Sequence, residues 1–125
     1  IPIDFVRLHK LSGGSREFEI KLLKIFVQQM ETYLEEAMTG FTAHNYLNIA
    51  HKMQQINGAS KNVGILIIPE ITQQIEAEIA DNNLASIAES MNQLQNIHQI
   101  IKRFVASLGD DLTSNTPKPS LGMKT

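Results

Sequence analysis

The chain has four imidazoles, His9, His44, His51 and His98, and no cysteine. Imidazole is the side chain that exchanges a proton near neutral pH, so it can shuttle protons, hold a metal or accept a phosphoryl group. A metal would need further donors at helical spacing. His44 and His51 are seven residues apart and share a helix face, but neither has a carboxylate three or four residues on, so no metal site is expected. His51 instead falls on a stripe of mixed character. Leu47, His51, Gln54, Gly58 and Lys61 follow one another at spacings of 4, 3, 4 and 3, which lines them up along one side of a helix. The apolar residues Tyr46, Ile49, Ala50, Met53 and Ile56 belong to another side. The stripe is therefore expected to face solvent and to be available for docking.

Other chemistry-bearing residues read more plainly. His44 is expected at the surface near a helix start. His98 occupies an apolar seam and is expected as a satisfied core or rim histidine. His9 has no visible partner motif. Glu31, Glu35 and Glu36 form an acidic patch, expected as a solvated face that helps select a partner. The methionines at 30, 38, 53 and 91 sit at core spacings and are expected to pack. Ser12-Gly13-Gly14 lacks both the lysine and the preceding strand of a phosphate loop. No Ser/His/Asp arrangement emerges from spacing.

The elements that must position these residues are helices. The apolar period is helical almost throughout. Asp4 is expected to cap a short first helix carrying Phe5, Val6 and Leu8, which Ser12-Gly13-Gly14 ends. Ser15 then caps a long helix with the stripe Phe18, Leu22, Leu23, Phe26, Met30, Tyr33, Leu34 and Ala37, stopped at Thr39-Gly40. Thr42 or Asn45 opens a third helix, and Gly64 breaks it. Ile67, Ile71, Ile75 and Ile79 mark a fourth, with Pro69 tolerable in its first turn. Asp81-Asn82-Asn83 is a turn, and a 3-4 repeat from Leu84 to Leu108 is the seam of a fifth helix. The expected fold is all-α: an antiparallel four-helix bundle with a short additional N-terminal helix packing across one end. Residues 1–108 form the bundle, and the polar, proline-containing stretch 109–125 is expected to be a disordered tail or linker.

Composition narrows the function classes. A chain of 125 residues suits one domain, and its net charge of -2 shows no basic excess for tracking nucleic-acid phosphates. No apolar run approaches the roughly 20 residues needed to span a bilayer. The longest, Val63 to Pro69, is interrupted by Gly64. The N-terminus shows no leader pattern, and its isoleucine suggests a domain within a longer chain. The absence of cysteine suits a cytoplasmic setting.

The most informative stretch is Met53-Gln-Gln-Ile-Asn-Gly-Ala-Ser-Lys-Asn-Val-Gly64. It resembles the signature of the histidine phosphotransfer (HPt) family, A-H-x-L-K-G-S-S-x-x-x-G. Met53 falls on the alanine, Gln54 on the phosphate-carrying histidine, Ile56 on the leucine and Asn57 on the lysine. Gly58 falls on the first glycine, Ala59 and Ser60 on the small pair, and Gly64 on the last glycine. Asn45 matches the acidic residue that often opens the helix. Ile3-Asp4, Leu11 to Gly14 and Leu23 to Phe26 are similar to the family's flanks, so the resemblance runs over roughly residues 3–108.

The resemblance implies a two-component phosphorelay module with no independent catalytic activity and no resident cofactor. Its partners would be a response-regulator receiver domain, a sensor histidine kinase or both, and the receiver would bring the magnesium. The relay itself needs a nucleophilic imidazole, open space one turn later for the receiver's active site, and a cation for the phosphoryl charge. Gln54 lacks the first, because a carboxamide nitrogen is neither basic nor nucleophilic at neutral pH. It can still fill the space and hydrogen-bond, and Lys61 can supply the cation that Asn57 does not. The expected function is therefore a pseudo-HPt that docks a receiver or kinase domain without carrying phosphate. One alternative is an active phosphocarrier using His51, about 4.5 Å along the helix axis from residue 54. The other is a structural or oligomerising bundle with no tie to phosphorelays.

Overall fold

The computed structural model describes residues 3–114, with five helices in the order α1 (Phe5–Ser12), α2 (Arg16–Thr42), α3 (Tyr46–Asn62), α4 (Ile67–Ala80) and α5 (Leu84–Ser114). Their starts are capped as the side chains dictate. Asp4, Ser15 and Asn45 each accept a hydrogen bond at 3.1 Å from the backbone N–H three residues on. Asn83 does the same for Ser86 at the start of α5. Gly13, at φ 68°, closes α1. Pro69 sits in the first turn of α4, where its missing N–H costs nothing.

Short connections make successive helices antiparallel. The ring closes because α2 packs on α3 and α5, and α4 packs on α3 and α5. Between the four lies one apolar cluster in which Phe26, Met30, Ile49, Met53, Ile75 and Met91 are essentially inaccessible. Each such side chain contributes about 1.5–3 kcal/mol by leaving water. α1 lies against α2 and sends Leu8 into the same cluster. Just before α1, Asp4 N–H donates to the Gly64 carbonyl at 2.7 Å, and Ile3 pairs with Ile65 in an isolated antiparallel bridge. The N-terminal segment thus clamps the loop that follows α3.

Four expectations need correction. Gly40 does not stop α2, which runs on to Thr42. Gly40 is buried where α2 meets α3, and a Cβ there would stand 2.9 Å from Asn48 Nδ2 and 3.3 Å from Ile49 Cγ1. The glycine permits helix contact rather than ending a helix. Phe18 is exposed at 43 % and lies outside the core, and the core side of α2 is filled instead by Ile20 and Val27. Val6 is 72 % exposed, so Leu8 is the apolar residue of α1 that reaches the core. α5 passes through Leu108 and Gly109 and ends at Ser114. The rest of the stretch expected as a tail, 115–125, lies outside the described residues.

Candidate functional site

The rotation of α3 follows from its apolar side chains. Ile49, Met53, Ile56 and Ser60 are buried, and α2 and α4 flank the helix on either side. What remains outward is the stripe Leu47, His51, Gln54, Gly58 and Lys61, all of it exposed. Leu47 reaches 84 % exposure, the largest among the exposed large apolar residues. Gly58 is open: a Cβ built on it meets nothing within 4 Å. The side chains of the stripe make no hydrogen bond or ion pair with any described residue. The five residues therefore do come together on one accessible surface, with Gln54 at its centre.

The remaining signature positions have turned inward. Asn57 Nδ2 donates to Thr72 Oγ1 on α4 at 3.3 Å, and the Thr72 hydroxyl donates to the Pro69 carbonyl at 3.1 Å. Ser60, completely buried, donates to the Asn57 carbonyl at 2.9 Å. Asn57 thus joins α3 to α4 and, being neutral, supplies no charge of its own near Gln54. Lys52 does not replace it. Its ammonium is 2.9 Å from Glu36 Oε1 and lies over the Tyr33 ring, 5.8 Å from the centroid. Lys61 shares the outer face with Gln54 but is two helical turns away, about 10 Å along the axis. Gly64 adopts φ 78°, and a Cβ there would stand 2.7 Å from the Asp4 carbonyl oxygen. Both the backbone conformation and the close approach of the N-terminal segment require glycine at this point.

The other histidines occupy three different environments. His98 is 3 % exposed, with Nε2 3.0 Å from the Val27 carbonyl oxygen, which ties α5 to α2. This is the buried core histidine that its seam position implied, held through one ring nitrogen. His44 lies in the α2–α3 turn at φ 57°, exposed, with Nδ1 3.1 Å from the Tyr46 hydroxyl. His9 does have a partner. Its Nδ1 is 2.7 Å from Glu19 Oε2, which also accepts from the Ser12 hydroxyl at 3.2 Å, while Arg16 stands 3.5 Å from Oε1. Glu19 is only 3 % exposed. Burial by itself raises its pKa, but the hydrogen bonds from His9 and Ser12, the His9 charge and the Arg16 contact together hold the carboxyl below its ordinary value.

Sequence reading missed this cluster because His9 and Glu19 are ten residues apart across a helix–turn–helix corner, and no local periodicity connects them. The acidic patch on α2 is also less uniform than a solvated face. Glu31 pairs with Lys102 at 3.1 Å and Glu36 with Lys52, while Glu35 has no cationic partner among the described residues. No three His, Cys, Asp or Glu residues are grouped to hold a metal ion among the described residues. No helix among them is long and apolar enough to cross a membrane.

The model of the Hpt domain family matches residues 21–106, more than half of the chain, from the first turns of α2 through most of α5. No curated protein and no solved structure matches the chain.

Proposed function

The chain belongs to the Hpt domain family, and we propose that it acts as a docking module that engages a receiver or kinase domain through the outer face of α3 without carrying phosphate itself. Hpt domains are phosphotransfer modules of two-component phosphorelays, and they interact with receiver and kinase domains. That role requires a bundle with one reachable helix face, and the fold provides one. The observation that carries the finer reading is Gln54: a carboxamide at the centre of an otherwise open, unpartnered stripe. Gly58 leaves room one turn later for a receiver's active-site rim. Lys61 offers a cation at the far end, and Leu47 offers apolar area at the near end. A carboxamide donates and accepts hydrogen bonds, so Gln54 can occupy an acidic pocket but cannot form a phosphoramidate. The reading implies a cytoplasmic setting, shared with receiver domains.

The test is incubation with a receiver domain phosphorylated on its aspartate. The expected result is saturable binding that Gly58→Arg abolishes, with no acid-labile phosphate on the chain. Labelled wild-type protein overturns the proposal. If His51→Ala then removes the label, the phosphocarrier is His51, which stands exposed on the same stripe one turn earlier. Gln54→His is expected to create acid-labile labelling where the parent has none. If receivers of several classes neither bind nor label the chain, the bundle serves another purpose.

A further inference from the structure

A groove of ≈ 540 Å³ runs between α2 and α5, and no residue of α3 lines it. Leu34 and Met38 supply its apolar lining, and Glu31, Glu35 and Gln99 supply polar lining. His98 lines it as well, although only 3 % of that residue is exposed. The Nε2 partner of His98 is a carbonyl oxygen, which can only accept, so Nε2 carries the hydrogen. In the neutral ring Nδ1 is then an acceptor, and no described residue bonds it. Glu31 already receives the Lys102 ammonium at 3.1 Å. Glu35, one turn further along α2, has the same charge and no cationic partner among the described residues.

The geometry points to a second docking site, in which this groove takes an arginine side chain presented by a partner protein. Glu35 is an acceptor only, the neutral His98 ring offers Nδ1 as an acceptor, and the carboxamides of Gln95, Asn96 and Gln99 can turn to accept, so a cationic multiple donor suits this lining. Two carboxylates against one lysine disfavour an anion. A guanidinium fits better than an ammonium because its donors form a rigid planar fork that reaches separate acceptors together, and because it is less strongly hydrated. Its aliphatic stem lies against Leu34 and Met38. Because the groove and the α3 stripe share no residue, both can be filled at once, and the chain then bridges two proteins. The site does not depend on the docking role of α3, and either can fail without the other.

The test is a titration of the isotope-labelled chain with N-acetyl-arginine methylamide, followed by NMR. The uncharged isostere N-acetyl-citrulline methylamide serves as the comparison. Saturable shifts at the His98 ring and the Gln99 amide are expected with arginine, and binding about tenfold weaker with citrulline. Glu35→Gln is expected to weaken arginine binding by a similar factor, while Gly58→Arg leaves it unchanged. Shifts that never saturate, equal binding of citrulline, or a Glu35→Gln variant that binds as well as the parent would each overturn the site.

Discussion

The outer and inner residues of α3 come from one contiguous stretch of sequence, and they are held by different things. Outward, Leu47, His51, Gln54, Gly58 and Lys61 are exposed, make no side-chain polar contact among the described residues, and have open space at Gly58. Inward and sideways, Met53, Ile56, Asn57 and Ser60 are packed or hydrogen-bonded into α2 and α4, and Gly64 is pressed against the N-terminal segment. The contrast separates the residues that hold the bundle together from those that it leaves exposed. The inner positions are tied to folding, because each one fills space or satisfies a buried polar group. The outer positions carry no such constraint from the bundle. The identity of residue 54, exposed and without a polar partner among the described residues, is therefore of little consequence to the bundle.

The widest test of this contrast is between sequence neighbours. Met53→Ala should lower unfolding free energy by about 2–5 kcal/mol, because it opens a cavity in the core. Gln54→Ala should stay within about 0.5 kcal/mol, as for other exposed positions. Urea denaturation of the two variants decides it, and equal losses would mean that residue 54 is structurally engaged. The two glycines give the next contrast. Gly64→Ala should cost about 3 kcal/mol, from a positive φ and a Cβ against a backbone oxygen. Gly58→Ala should raise stability by about 0.5–1 kcal/mol, because alanine is the better helix former in open space.

Asn57→Ala should cost about 1 kcal/mol through loss of the bond to Thr72. Asn57→Lys should cost a similar amount and strengthen receiver binding, measured by calorimetry, if the missing cation limits docking. The smallest effect separates α3 from the α1–α2 corner. The Glu19 carboxyl has a folded pKa below its ordinary value, so its contribution is complete above the unfolded pKa and is lost as pH falls through the folded one. Thermal melting should show stability declining as pH drops below the ordinary carboxylate range. Glu19→Gln should flatten that decline, and His51→Ala should leave it as it was.

Much of this was legible in the sequence, for a physical reason. A helix is a local structure, and its caps and breaks are set by residues within a turn or two. Asp4, Ser15 and Asn45 as caps, Gly64 as a break and Pro69 in a first turn all stand where local rules put them. The outer stripe of α3 was legible because 3.6-residue periodicity and the apolar residues opposite fix which side faces the core. Gly40 was misread because the same residue type serves two purposes, and only the approach of α3 shows which applies.

The sequence by itself determined the helices, the side of α3 that faces out, and the absence of a nucleophile at position 54. Those are matters of composition and short-range geometry. Tertiary structure decided what depends on contact between distant segments. It paired His9 with Glu19, turned Asn57 toward Thr72 and set Gly64 against Asp4. It also brought His98 and Glu35, more than sixty residues apart in sequence, to one groove. Such pairings depend on how the helices rotate and slide against one another as the shared core packs, and no local pattern along the chain encodes that.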